Sequence, residues 1–317
     1  MDDYPKTVIE LRDRFASEQA CRDYLAKLRW PDGFVCPYCQ HTIGWKMQRD
    51  LYWCQHCDAQ VSVTAATLFH ATRKPLRLWF EAMWHVTNQK SGVSALGLQR
   101  VLGIGSYHTT WNWLHKLRRA MVRPGRDRLS GVVEVDEMFI GGERPGKRGR
   151  GAAGKALVVI AAQQADQGIG RIRLRRVSDA AGESLEPAVW EMIEPGTEVH
   201  TDGWRGYNGL GELGYNHKVI RSNPHLGKNL LPLANRVASL LQRWLLGTHQ
   251  GAVQHSHLDY YLDEFTFRFN RRTSQSRGLL FYRLLTQAID LGPVRETELK
   301  APTEKLPKPE NSQEPTA

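Results

Sequence analysis

GVVEVDEMFIG, residues 131–141, is a β-branched and apolar run interrupted by acids. Such a run favours a strand. In a strand, Glu134 and Asp136 share one face while Val133, Val135 and Glu137 share the other. Charges at the end of an otherwise buried strand need a reason. KALVVIAAQ (155–163) is a second β-branched run, and RIRLRRV (171–177) alternates with period two. A helical stretch near Glu183 to Ile193 precedes EVHTDG (198–203), a short strand ending on Asp202. Helical patterns then cover Leu231 to Leu246 and His257 to Asn270. Strands first and helices later predict an α/β domain, here over residues 130–292.

Toward the N-terminus the texture differs. Basic Arg123-Pro-Gly-Arg126 reads as a linker. Before it, residues 75–122 are helical with Gly-containing breaks. Ser94 can start one short helix, Gly103-Ile-Gly105 can turn the chain, and Ser106 can cap YHTTWNWLHKLRRAM (107–121). That is the layout of a DNA-reading helix-turn-helix. Tyr107, His108, Thr109 and Asn112 lie where base edges would be met, and Lys116, Arg118 and Arg119 where phosphates would be. An ordinary helical hairpin with a solvated basic face fits the same residues.

Residues 31–70 hold Cys36-Pro-Tyr-Cys39 and Cys54-Gln-His-Cys57, fourteen residues apart, with short β-like runs WKMQ and LYWCQ. Each CxxC aims two thiolates at one point, and two of them complete a tetrahedral Zn–S4 site. Four protein ligands leave no open position, so this zinc is structural. Cys21, the fifth cysteine, is expected to be a buried residue of an N-terminal helix running from Thr7 to Trp30. Residues 1–30 thus form a helix, 31–70 a zinc ribbon and 75–122 a helix-turn-helix. The Pro-, Glu- and Lys-rich tail, 293–317, is expected to be disordered.

The chain has 317 residues and a net charge of +10. Its pI is near 9.5. A basic surface of that size points to a polyanion as partner. No window approaches a membrane span, and the acidic start MDDYPKTVIELRDRFAS is unlike a signal peptide. A cytosolic location, without membrane partners, is therefore expected, where the five cysteines stay reduced.

Asp136 and Asp202 end two strands. Carboxylates so placed can gather two Mg2+ ions about 3.5–4 Å apart that activate a nucleophile and stabilise a leaving oxygen. Asp202 is followed by Gly203, and Asp-Gly by itself is turn chemistry. VEVDEMFIGG, HTDGWRGYNGL and LLQRWLLGTHQGAVQHSHLDYYLDEFTFRFNRR closely resemble motifs of DDE-type bacterial insertion-sequence transposases, of the family with an N-terminal zinc ribbon and an ISXO2-like domain. The resemblance runs from the ribbon to about Leu285. It implies a ribonuclease-H-like α/β catalytic domain behind the DNA-binding region. It also implies binding to terminal inverted repeats and target DNA, and cleavage and strand transfer dependent on Mg2+ or Mn2+. Because two ends must meet, a dimer or larger assembly is implied.

On that resemblance Asp136 and Asp202 open the catalytic triad. The family typically has an acid, or in some branches Asn or His, at the third position, with Lys seven residues later. Here Asn235 and Gln242 stand there. Seven residues make two helical turns, so both lie on one face. An amide oxygen can ligate a hard cation but brings no charge, and Gln242 cannot neutralise a phosphate. Glu264 is the reserve acid. Two basic groups, Arg144 to Arg150 and Asn270-Arg271-Arg272, are further candidates for DNA contact. Two rivals stay open: a catalytically impaired DNA-binding derivative, and a nuclease of similar fold that cuts without joining.

Overall fold

The computed structural model describes residues 3–122, 125–141, 155–221, 229–251 and 253–300. Its elements run α1 (Val8–Arg14), α2 (Glu18–Arg29), β1 (Gly44–Lys46), β2 (Leu51–Cys54) and β3 (Gln60–Ser62). Next come α3 (Leu76–Asn88), α4 (Ala95–Leu102) and α5 (Tyr107–Ala120). They are followed by β4 (Val132–Ile140), β5 (Ala156–Ala165), β6 (Gly168–Val177), α6 (Gly182–Met192), β7 (Glu198–Thr201) and β8 (Asn216–Val219). The last are α7 (Pro232–His249), α8 (Leu258–Phe269), α9 (Arg277–Asp290) and α10 (Glu296–Lys300). They form two units, Met1–Arg123 with Thr273–Lys300, and one centred on Pro124–Arg272.

In the first unit, the helix expected from Thr7 to Trp30 is broken. Ser17 accepts the N–H of Ala20 and caps α2, so the chain turns after α1 and folds Phe15 inward. Phe15 meets Phe80 of α3 edge-to-face at 4.8 Å, and Phe80 meets Phe281 of α9 at 5.7 Å. Helix α9 therefore belongs to this core, and the expected catalytic domain, drawn to residue 292, gives up its last stretch. The apolar stripe Leu280, Phe281, Leu284, Leu285 and Ala288 decides this. The expected tail also begins later than drawn, because 296–300 is helical and Val294 and Leu299 are buried. Residues 301–317, like Arg123, Pro124 and Arg144 to Arg150, lie outside the described residues.

In the second unit a five-stranded sheet has the order β6-β5-β4-β7-β8. β6, β5 and β4 are antiparallel; β4, β7 and β8 are parallel. Three antiparallel strands followed by two parallel ones form the ribonuclease-H-like sheet. One face, including Val158, Ile160 and Leu174, packs on Ala234, Val237 and Leu241 of α7 and Leu262 and Phe265 of α8. The other, including Val133, Val135 and Val159, packs on Leu185 and Val189 of α6. With both faces covered, β5 is apolar on both, as its sequence requires.

Asn270 and Arg272, proposed above as DNA contacts, are used to hold the edge strand. The Asn270 side chain accepts from Ile172 N at 2.7 Å and donates to Ile172 O at 3.0 Å, imitating a strand partner. Arg272 donates to the carbonyls of Ile169, Gly170 and Phe269. Glu264, the reserve acid, is buried on α8 with Arg268 one turn away.

Candidate functional site

The parallel pairing of β4 with β7 sets Val132 opposite Glu198, Val133 opposite Val199 and Glu134 opposite His200. Asp136, still in β4, and Asp202, the first residue after β7, each lie two residues past that last pair. Alternation puts Glu134, Asp136 and His200 on the sheet face that carries α7. Asp202 is the first residue after β7, and its Oδ1 accepts the N–H of Trp204 at 2.9 Å. The turn reading of Asp202 thus holds: its side chain caps the backbone that follows β7. Gly203 follows at φ +84°, where an added Cβ would lie 2.7 Å from Val219, so glycine is required there. The Oδ1 of Asp136 accepts the N–H of Glu137 at 2.9 Å. Each aspartate is held by a backbone donor, as ligating carboxylates usually are.

Beneath them, the fully buried Tyr207 donates its hydroxyl to Glu137 Oε2 at 2.9 Å. Burial, and then the charges of Glu137, Asp136 and Asp202, hold this phenol protonated well above the ordinary tyrosine range. Among the described residues the pair gathers no third acid into a metal-sized cluster. Carboxylate oxygens are nevertheless hard donors of the kind divalent cations take.

The connection to α7 was not legible from the sequence. That helix starts with Pro232 after Leu231, which supplies no side-chain cap. Glu134, 7% exposed, takes over this role across the fold: its Oε2 accepts from Leu233 N at 2.7 Å and Ala234 N at 3.0 Å. These are the second and third helical positions, whose N–H groups have no partner within the helix. Burial raises the Glu134 pKa, while the Ala234 and Leu233 amides and the charge of His200 oppose that. His200 bonds Glu198 at 2.7 Å, and Glu198 bonds Lys218 at 2.6 Å. The only sequence signal for Glu134 was its parity with Asp136. Asn235, next after Ala234, is exposed, and its amide donates to Asn229 at 2.9 Å. Gln242 is exposed two turns along α7, opposite the buried stripe of Ala234, Val237 and Leu241.

In the ribbon, the Sγ atoms of Cys36, Cys39, Cys54 and Cys57 lie within 4.8 Å of one another. Each CxxC ends in the same turn: Gln40 N donates to Cys36 O and Asp58 N to Cys54 O. Gln40 and Asp58 both adopt positive φ, 61° and 55°. β1, β2 and β3 pair antiparallel beside them. Four converging thiols with no room for a water ligand fit structural zinc. Cys21 is buried in α2, away from this cluster, as expected.

Ser94 caps α4, Gly103 ends it at φ 62°, and the Ser106 hydroxyl accepts from Thr109 N to cap α5. Tyr107 and His108 are exposed, and Thr109, Asn112, Lys116 and Arg119 half-buried. Arg118 is a correction. It is 1% exposed, beside His115 at 3.4 Å, and cannot reach a phosphate from there. Position 118 faces the core because it lies four residues after the buried Leu114, one turn along the same stripe. No described helix is long and apolar enough to cross a membrane.

Residues 128–270 match the ISXO2-like transposase domain and residues 16–60 the transposase zinc-ribbon domain. A curated relative, the "uncharacterized protein in transposable element ISH50" of Halobacterium salinarum (strain ATCC 700922 / JCM 11081 / NRC-1), is 27% identical over 282 residues, covering 80% of this chain and 91% of that one. A solved chain from the simian T-cell lymphotropic virus intasome in complex with PP2A regulatory subunit B56 gamma aligns over 69% of this chain and 76% of its own, at 13% identity and a TM-score of 0.31. That score is too low to carry any argument.

Proposed function

We propose that this chain, whose residues 128–270 match the ISXO2-like transposase domain and 16–60 the transposase zinc-ribbon domain, is a transposase that binds the ends of an insertion sequence and cuts and rejoins DNA there. The observation that carries this reading is that Asp136 on β4 and Asp202 just after the parallel neighbour β7 each follow the Glu134–His200 pair by two residues. In this reading Asp136 and Asp202 hold divalent cations, with Asn235 as a neutral third ligand. Bound Mg2+ supplies an activated nucleophile and charge neutralisation at the leaving oxygen. The protein's own groups do the positioning. The backbone donors at Glu137 and Trp204 fix the two carboxylates. Tyr207 keeps Glu137 in place from below, and Gln242 is offered to the DNA backbone from the exposed face of α7. Water attack on the phosphodiester at the element end breaks the P–O3′ bond, leaving a 3′-hydroxyl on the element and a 5′-phosphate on the flank. That hydroxyl then attacks a target phosphodiester, joining the element to the target 5′ end as the target's 3′-hydroxyl departs. Pairing of two ends requires a dimer or larger complex. The α4–α5 pair supplies sequence reading, with Tyr107, His108, Thr109 and Asn112 toward bases and Lys116 and Arg119 toward phosphates.

A second reading is favoured by the two amides: with Asn235 and Gln242 in place of Glu and Lys, the chain binds DNA but catalyses weakly. One assay separates the readings. Labelled element-end DNA is incubated with Mg2+ and target DNA, and the fate of the 3′ end is followed for wild type and Asp136→Ala. Joined products from wild type alone support the transposase. Cleaved but unjoined ends indicate a nuclease. Equal behaviour of both proteins on demonstrably bound DNA rejects the enzyme.

A further inference from the structure

The face of α5 assigned above to DNA already has an occupant. Glu296, on α10, accepts a hydrogen bond from Asn112 Nδ2 at 3.0 Å and lies 3.3 Å from His108 Nε2. Glu298 pairs with Arg119 Nη1 at 3.2 Å. Lys116 stands between them on the same face: burial lowers its pKa, and the charges of Glu296 and Glu298 push it back up. One short acidic segment thus contacts three of the side chains that a helix-turn-helix would present to DNA, and its charge reaches a fourth.

The segment is not a loose tail laid on a basic surface. Val294 and Leu299 on either side of the two glutamates are buried, Leu299 at 0% exposure. The two apolar anchors hold the carboxylates in place. Pairs this exposed contribute little each, so the contact is firm enough to form and weak enough to be displaced. Chemically a carboxylate in these positions presents what a backbone phosphate presents, an anion accepting from His, Asn and Arg donors. The pattern Glu-Thr-Glu-Leu places acids on alternate positions before the anchoring leucine.

We propose that α10 is an internal stand-in for DNA phosphates, covering the recognition face of α5 until DNA displaces it. This rests on the DNA reading of α5. The full-length protein is compared with Glu296→Gln/Glu298→Gln, which keeps both apolar anchors, and with Arg119→Ala. Binding to a labelled mixed-sequence duplex is measured at low salt, alongside backbone hydrogen exchange over residues 294–300. The double variant is expected to bind about threefold or more tighter, and wild type to lose protection over 294–300 when duplex is added. Protection over 294–300 that persists on saturated protein overturns the covering role, whatever the change in affinity. Binding undiminished by Arg119→Ala removes the DNA reading of α5 itself, and the covering role with it. Weakened binding by Arg119→Ala with unchanged exchange leaves the DNA reading intact and rejects the stand-in alone.

Discussion

The carboxylate of Glu134 accepts the backbone N–H of Ala234 at 3.0 Å, one residue before Asn235. A strand residue two places from Asp136 thereby sets where α7 begins, and so where Asn235 and Gln242 stand. Glu134→Ala leaves two helix N–H groups without their acceptor in a buried place. A loss of about 1–3 kcal/mol in urea unfolding is expected. Glu134→Gln keeps an acceptor oxygen and should cost less. If the residue positions α7 for catalysis, Glu134→Gln also raises the Mg2+ concentration needed for half-maximal cleavage while leaving DNA affinity unchanged.

Asn235→Glu restores a carboxylate at the third position. Since an amide ligates a hard cation without neutralising it, half-maximal activity should shift to about tenfold lower Mg2+. The exposed position of Asn235 tolerates the longer side chain. Isothermal titration with Mn2+ on wild type and variant checks the affinity without needing turnover. No tightening with the variant removes Asn235 from the ligand set.

Zinc should be bound at one ion per chain by Cys36, Cys39, Cys54 and Cys57. A strong chelator, or Cys39→Ser, is expected to unfold the ribbon alone. The reason is that strands of three and four residues cannot supply a core. Metal analysis and the near-ultraviolet signal of Trp45 and Trp53, whose tilted rings lie 4.4 Å apart, report this.

Arg118 and Arg119 are adjacent but face opposite ways. Arg119→Ala should weaken duplex binding, reduce its salt dependence by about one unit of slope and leave stability within about 0.5 kcal/mol. Arg118→Ala removes a buried, hydrogen-bonded group. It should lower stability by about 1–3 kcal/mol and affect binding only through that loss. Urea midpoints beside binding isotherms distinguish them.

Asp263 on α8 gives a pH dependence. Its carboxyl is pushed up to about 7, chiefly by burial and further by Asp259 and Glu191, against the pull of Arg126 and Arg175. Between the ordinary aspartate range and about 7, the folded protein therefore keeps a proton that the unfolded chain has released. Stability contributed by this group is present at low pH and is lost as pH rises through that window. Asp263→Asn should abolish this slope and gain about 1–3 kcal/mol near pH 8 relative to wild type. Urea unfolding at about pH 5 and pH 8 reads it directly.

The sequence by itself determined the features encoded in local spacing. Two CxxC pairs specify a zinc cluster because a thiolate pair needs only a tight turn. Ser94, Gly103 and Ser106 specify a helix, a turn and a second helix because capping is a matter of the next three residues. The run at 131–141 specifies a strand, and its parity places Glu134 beside Asp136. Asp136 and Asp202 were legible as strand-end acids, and the resemblance to insertion-sequence transposase motifs added their expected role.

What the tertiary structure alone decided is every partnership over long separations. Glu134 meets Ala234 a hundred residues away, Asn270 holds Ile172, and Glu296 meets Asn112. Such pairs leave no periodicity, because loop closure lets any distant segment arrive once the core is buried. The same physics turned Arg118 inward and carried α9 into the first unit: apolar stripes choose the face, and the polar residue on that face must follow.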